Sequence, residues 1–99
     1  MYRILFAAAV EDDLKALSPY HRNRILDDIQ VSLTHEPTVP SRNRKRLVNL
    51  LPPWEATSFV WELRSGDHRV FYDVNKDNLV VYVRAIRKKP PAKTTEEIL

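Results

Sequence analysis

The chain has no cysteine and a single glycine, Gly66. Without thiols there is no disulfide framework and no thiolate metal site, which suits a reducing compartment and makes a cytoplasmic location the expectation. No run approaches the ~20 apolar residues of a membrane-spanning helix, so no membrane partner is expected. The opening MYRILFAAAV is followed at once by Glu11, Asp12 and Asp13, with no small-residue cleavage site, and reads as part of the fold. His21 and His35 have no spacing to each other that makes a metal site, and neither a metal nor a cofactor is implied. One more thing is missing locally. The chain carries 13 acids against 16 Lys and Arg, yet residues 37–54 contain no carboxylate at all. Ninety-nine residues, 43% of them hydrophobic, allow one domain over 1–99 with one core.

The residues that are present fall into two periodicities. Residues 2–8 are apolar and aromatic and read as a strand. Residues 11–17 (EDDLKAL) put acids first and Leu14 and Leu17 three apart, which suits one or two helical turns. Ser18 followed by Pro19 is a helix start, because Ser accepts from free N–H groups and Pro needs none. Ile25, Ile29 and Leu33, with Leu26 beside them, then recur on one helical face to about Thr34, and Pro37 and Pro40 end the helix. Residues 37–53 read as a long, proline-rich, basic connection with an apolar patch at Leu47, Val48, Leu50 and Leu51. The remainder alternates with period two: residues 59–64, a Ser65-Gly66-Asp67 turn, residues 68–74, a second turn at 75–78, and residues 79–87. Thr94 to Glu97 resembles a helix N-terminus with only Ile98 and Leu99 after it. The order β-α-α-(loop)-β-β-β predicts an α+β fold, two N-terminal helices on one face of a small, mostly antiparallel sheet.

Covering one face of a sheet leaves the other open. Alternation assigns Phe59, Trp61, Leu63, Val70, Tyr72, Val74, Val81, Val83 and Ala85 to the core. It assigns Glu62, Arg64, Arg69, Phe71, Asp73, Val80, Tyr82 and Arg84 to the opposite face. Guanidinium forks suit phosphates and aromatic rings suit unstacked bases. The loop SRNRKRL adds Arg42, Arg44, Lys45 and Arg46, and the end of the last strand adds Arg87, Lys88 and Lys89. A basic surface with Tyr82 as a stacking ring is what single-stranded RNA binding uses. A solvated face whose arginines pair with Glu62 and Asp73 is the plainer reading of the same pattern.

The hairpin WELRSGDHRVFY, the SRNRKRL loop, the ending VVYVRAIRKK and the element order together resemble the RelE/ParE superfamily of bacterial toxins from type II toxin–antitoxin modules. The resemblance implies the RelE-like fold over nearly the whole chain. It also implies a ribosome-dependent endonuclease that cleaves mRNA and inhibits translation. In that chemistry the ribose 2′-OH attacks the adjacent phosphate, with no metal needed if side chains supply charge and protons. It makes Arg69 the phosphate-stabilising arginine and Lys89 a second cation; where the family pattern departs, Arg44, Lys45 and Arg46 are substitute cations and Glu62 a substitute base. The family's paired lysines before the hairpin fall on Val60 and Glu62, and its C-terminal tyrosine falls on Thr95. The alternative is therefore a non-catalytic interaction protein, either a ParE-type gyrase inhibitor or a degenerate RelE relative. The implied partners are a cognate antitoxin, with Leu47, Leu50 and Leu51 as candidate contacts, and the ribosome with its mRNA. Gyrase replaces the ribosome in the alternative.

Overall fold

Ser18 and Pro19 start a helix as their chemistry predicts. The Ser18 hydroxyl accepts from the His21 amide at 3.4 Å, and α2 runs Pro19–Leu33. In this computed structural model, which describes residues 1–48, 52–54 and 59–99, the chain begins with β1 (Arg3–Phe6) and α1 (Ala8–Ala16). After α2 come β2 (Arg44–Arg46), β3 (Trp61–Ser65), β4 (His68–Asn75), β5 (Val80–Lys88) and the short α3 (Thr95–Ile98). The sheet order is β1-β5-β4-β3-β2, with β1 parallel to β5 and every other pair antiparallel. Gly66 makes the β3–β4 turn at φ 59, a left-handed conformation that a Cβ disfavours.

The α1 and α2 face buries Val10, Leu14, Ile25, Ile29 and Leu33 against Trp61, Leu63, Val70, Tyr72, Val74, Val81, Val83 and Ile86. Alternation therefore assigned the faces of β3 and β4 correctly. Two expected core residues are corrected. Phe59 precedes β3 and is 63% exposed. Ala85 lies on the other face, because Phe71 pairs with Ala85 while Tyr72 pairs with Val83. Arg84 is thus an extra residue in β5, and the bulge reverses the phase beyond it, bringing Ile86 to the helices.

Two further expectations change. The basic stretch expected to be all loop contributes β2, an edge strand on β3. The face expected to be open carries a second small core of Val60, Phe71 and Ala85, packed under Leu47, Trp54, Ile98 and Leu99. Fully burying an aromatic such as Phe71 is worth about 1.5–3 kcal/mol, enough reason for the chain to fold back over it. Leu50 and Leu51 lie outside the described residues.

Candidate nucleic-acid interface

Hairpin register sets three arginines side by side. Arg69 is the cross-strand partner of Arg64 on β3 and of Arg87 on β5. Like charges in such positions repel, and each arginine is relieved differently. Arg64 is exposed to water. Arg87 reaches around β5 to Asp13 of α1 at 3.4 Å and to its neighbour's carbonyl on Ile86 at 3.1 Å. Arg69, only 8% exposed, donates through Nη1 to the carbonyls of Gly66 at 3.0 Å and His68 at 2.9 Å. Burial, then Arg64, pull its pKa below the ordinary arginine value, while Glu62 and Asp67 act the other way. The group stays charged, since a guanidinium does not lose its proton in proteins. Carbonyl contacts are dipoles rather than counter-ions, so among the described residues Arg69 is anchored without a direct carboxylate contact.

The next rows are more committed. Glu62 is 6% exposed, and both carboxylate oxygens are engaged. Thr95 Oγ1 donates to Oε2 at 2.7 Å, and Lys45 Nζ lies 3.7 Å from Oε1. Asp73 is fully buried and takes Arg84 in a two-pronged pair at 2.7 and 3.3 Å. The Arg84 guanidinium also lies 4.6 Å over the Tyr82 ring. The salt bridge anticipated from sequence thus forms at Arg84, while Arg64 and Arg69 have no carboxylate partner among the described residues.

The cationic segment is split by strand geometry. Lys45 pairs with Glu62 and shares the Arg69 side, whereas Arg44 and Arg46 pair with Leu63 and Trp61 on the helix side. Arg44 is a clamp: Nε donates to Val39 O at 2.9 Å and Nη1 to Ser32 O at 2.8 Å, tying the segment to the end of α2. Arg46 lies 4.4 Å over the Phe59 ring. Arg42 is exposed just before the strand. Lys88 pairs with His68, again on the helix side. Lys89 is at the Arg69 end of the sheet, its amide donating to Asp67 O at 2.7 Å. Arg64, Arg69, Arg87 and Lys89 thus gather at the β3–β4 turn end of the sheet, with Lys45 at the β2 edge of the same face. Arg44, Arg46 and Lys88 stand apart from them.

His68 is buried beside His21, with ring centroids 5.5 Å apart. Burial first, then His21 and Lys88, lower its pKa. Among the described residues no group of three or more His, Cys, Asp or Glu is arranged to hold a metal, and no helix is long and apolar enough to cross a membrane. Sequence reasoning passed over Thr95 as a structural group and Asp13 as the partner of Arg87. An acid followed 74 residues later by its arginine leaves no local signal. Thr95 had one, because a hydroxyl at the start of a terminal helix with two apolar residues behind it fits a segment folded onto the sheet.

The sequence matches the family described as the ParE toxin of the type II toxin–antitoxin system parDE over residues 4–89. Among solved structures, a chain of the archaeal RelE–RelB complex from Pyrococcus horikoshii OT3 is similar, with TM-score 0.71 and 26% identity. The match covers 92% of this chain and 98% of that one. The isolated RelE toxin of E. coli aligns with TM-score 0.68 at 19% identity over 94% of this chain and 89% of its own. A chain of the RelBE2 toxin–antitoxin complex of Mycobacterium tuberculosis aligns with TM-score 0.67 at 20% identity over 89% of this chain and 98% of its own. No curated protein matches the chain.

Proposed function

Because this chain belongs to the ParE toxin family of type II toxin–antitoxin systems, we propose that the toxin acts by gripping and cutting mRNA on the ribosome. The observation that carries this reading is the Arg64–Arg69–Arg87 row, a line of guanidinium groups in which Arg69 is held by carbonyls and, among the described residues, is in salt-bridge contact with no carboxylate. A phosphate supplies the missing negative charge. Among the described residues, Nη1 alone of Arg69 is spent on the fold, so Nε and Nη2 remain for a two-point grip on phosphate oxygens. When a 2′-OH attacks its neighbouring phosphate, charge builds on the non-bridging oxygens. A preorganised cation at that position stabilises the transition state more than the ground state. Lys89, beside the same turn, adds a second cation. Glu62 is assigned to holding α3 rather than to proton transfer, since Thr95 and Lys45 occupy its two oxygens.

The partner expected for such a toxin is a cognate antitoxin. The similar Pyrococcus structure is described as a RelE–RelB complex and the Mycobacterium one as a toxin–antitoxin complex. Leu47, half-buried, and Val48, exposed, belong to the apolar patch that an antitoxin would cover.

Primer extension on translated messages tests the reading. Arg69→Ala should abolish ribosome-dependent cleavage while the far-ultraviolet spectrum and binding to the antitoxin persist. Undiminished cleavage by that variant would overturn it. A second reading, a non-cleaving binder such as a gyrase inhibitor, is favoured by one observation. Val60, Glu62 and Thr95, which fall where RelE resemblance expects lysines and a tyrosine, are all buried and serve packing or hydrogen bonding. Loss of supercoiling with intact messages would select that reading.

A further inference from the structure

A second hollow lies on the opposite side of the sheet from Arg69. It has a volume of about 530 Å³ and is lined by Arg46, Phe59, Trp61 and Lys76, with Thr38, Asn75 and Asp77 at its polar margin. Its members come from the segment after α2, from β2, from β3 and the residue pair before it, from the end of β4, and from the β4–β5 turn. Phe59 is the unusual member, a large aromatic side chain 63% exposed with a guanidinium 4.4 Å above its ring. We propose that this hollow holds one nucleotide of single-stranded RNA, its base stacked on the Arg46–Phe59 pair and its phosphate toward Lys76. The inference rests on the RNA-directed reading above for the identity of the polymer, but it needs no cleavage.

Three features favour a nucleotide. The volume falls in the range of small-ligand sites, roughly 300–1,000 Å³. Guanidinium planes and aromatic rings both stack on unstacked bases, so the Arg46–Phe59 pair offers stacking groups of both kinds. Among the described lining residues Arg46 and Lys76 supply two cations against one acid, Asp77, and Thr38 and Asn75 carry donors and acceptors suited to a base edge. A fourth feature links the two faces. β2 is the edge of the sheet, and alternation sets Lys45 on the Arg69 side and Arg46 on the side of the hollow. A strand of RNA passing around that edge meets a cation on each side.

Nuclear magnetic resonance titration of the intact toxin tests this, with adenosine 5′-monophosphate and hexa-adenylate as probes. The mononucleotide should shift the Phe59 ring and the Asn75 and Lys76 amides at millimolar concentration. The hexamer should shift those and the Arg64 and Arg69 amides together. Phe59→Ala should weaken hexamer binding about 5- to 150-fold, the range for one lost stacked base. Lys76→Ala, at an exposed turn position, should lower the salt slope by about 0.7 without disturbing the fold. Arg69→Ala should leave the mononucleotide shifts intact. Cleavage surviving in that variant would sink the nuclease reading and spare this one. Hexamer binding unaffected by Phe59→Ala would overturn the proposal. So would pocket resonances that move with a short acidic peptide carrying one phenylalanine but with neither nucleotide, which would make the hollow a protein-docking site.

Discussion

Replacing Thr95 by valine keeps the shape of the side chain and deletes the hydroxyl that donates to Glu62 Oε2 at 2.7 Å. The carboxylate would stay buried under α3 with Lys45 alone. That lysine does not compensate. Its side chain is 63% exposed and lies 3.7 Å from the other oxygen, a solvent-screened pair worth ~0–1 kcal/mol. A hydrogen bond to a buried charged group contributes about 1.5–3 kcal/mol. At ~4–8 °C per kcal/mol for a chain this size, full expression of the loss lowers the melting temperature by roughly 6–24 °C. There is a ceiling. α3 is a single turn at the end of the chain, and if lifting Ile98 and Leu99 off Phe71 costs less than the lost bond, Glu62 rehydrates by local opening. The melting temperature then falls less, and exchange of the Leu99 amide, which donates to Thr95 O at 3.3 Å, accelerates instead. Thermal unfolding and amide exchange together capture both routes. Glu62→Gln retains an acceptor for Thr95, so it should destabilise by less than about 1 kcal/mol and keep mRNA cleavage within a few-fold. Removing a general base lowers the rate by about 10²–10⁴. A hundredfold loss in Glu62→Gln with normal melting, or a Thr95→Val variant unchanged in both melting and exchange, would refute the assignment of Glu62 to the fold.

Arg44→Met should destabilise the toxin by about 1–2 kcal/mol in urea titration, since two hydrogen bonds to carbonyls are lost. It should alter RNA affinity less than Lys45→Ala or Arg42→Ala does. If Arg42, Lys45, Arg64 and Arg69 each displace one counter-ion from single-stranded RNA, log affinity should fall against log salt with a slope of roughly −3, measured by fluorescence anisotropy. His68 has a folded pKa below its unfolded value. Above about 6.5 both states are neutral, and as pH falls below that value the unfolded chain takes the proton first. Stability is therefore present at neutral pH and declines on acidification until the folded pKa is passed. The melting temperature should fall more between pH 7 and 5 in the unaltered chain than in His68→Gln. Gly66→Ala should cost about 1–2 kcal/mol by thermal melting, because φ is 59 and the new Cβ would meet the Arg24 guanidinium at 3.3 Å.

Alternation made the sheet legible because each strand has one side that must be buried. Trp61, Leu63, Val70, Tyr72 and Val74 announce their face by being apolar at every second position, and that alone places Arg69 on the opposite side. The reasoning failed where the period itself changes. The residue inserted at Arg84 carries no compositional mark, since an arginine beside an alanine reads as ordinary alternation, so Ala85 and Ile86 exchanged faces. It failed again where burial comes from residues distant in sequence. Glu62 looked exposed because the strand pattern alone cannot say that the last five residues fold back across the sheet. The cationic segment shows the consequence for function. Read as a loop, Arg42, Arg44, Lys45 and Arg46 form one patch. Folded as an edge strand, the same residues divide by parity, with Lys45 beside the arginine row, Arg46 over Phe59 and Arg44 bonded to the end of α2. A cluster that is single in sequence is therefore divided between separate places in the fold. The variants to compare are single replacements, because a combined neutralisation of all four would remove a fold clamp along with the proposed phosphate contacts and report neither.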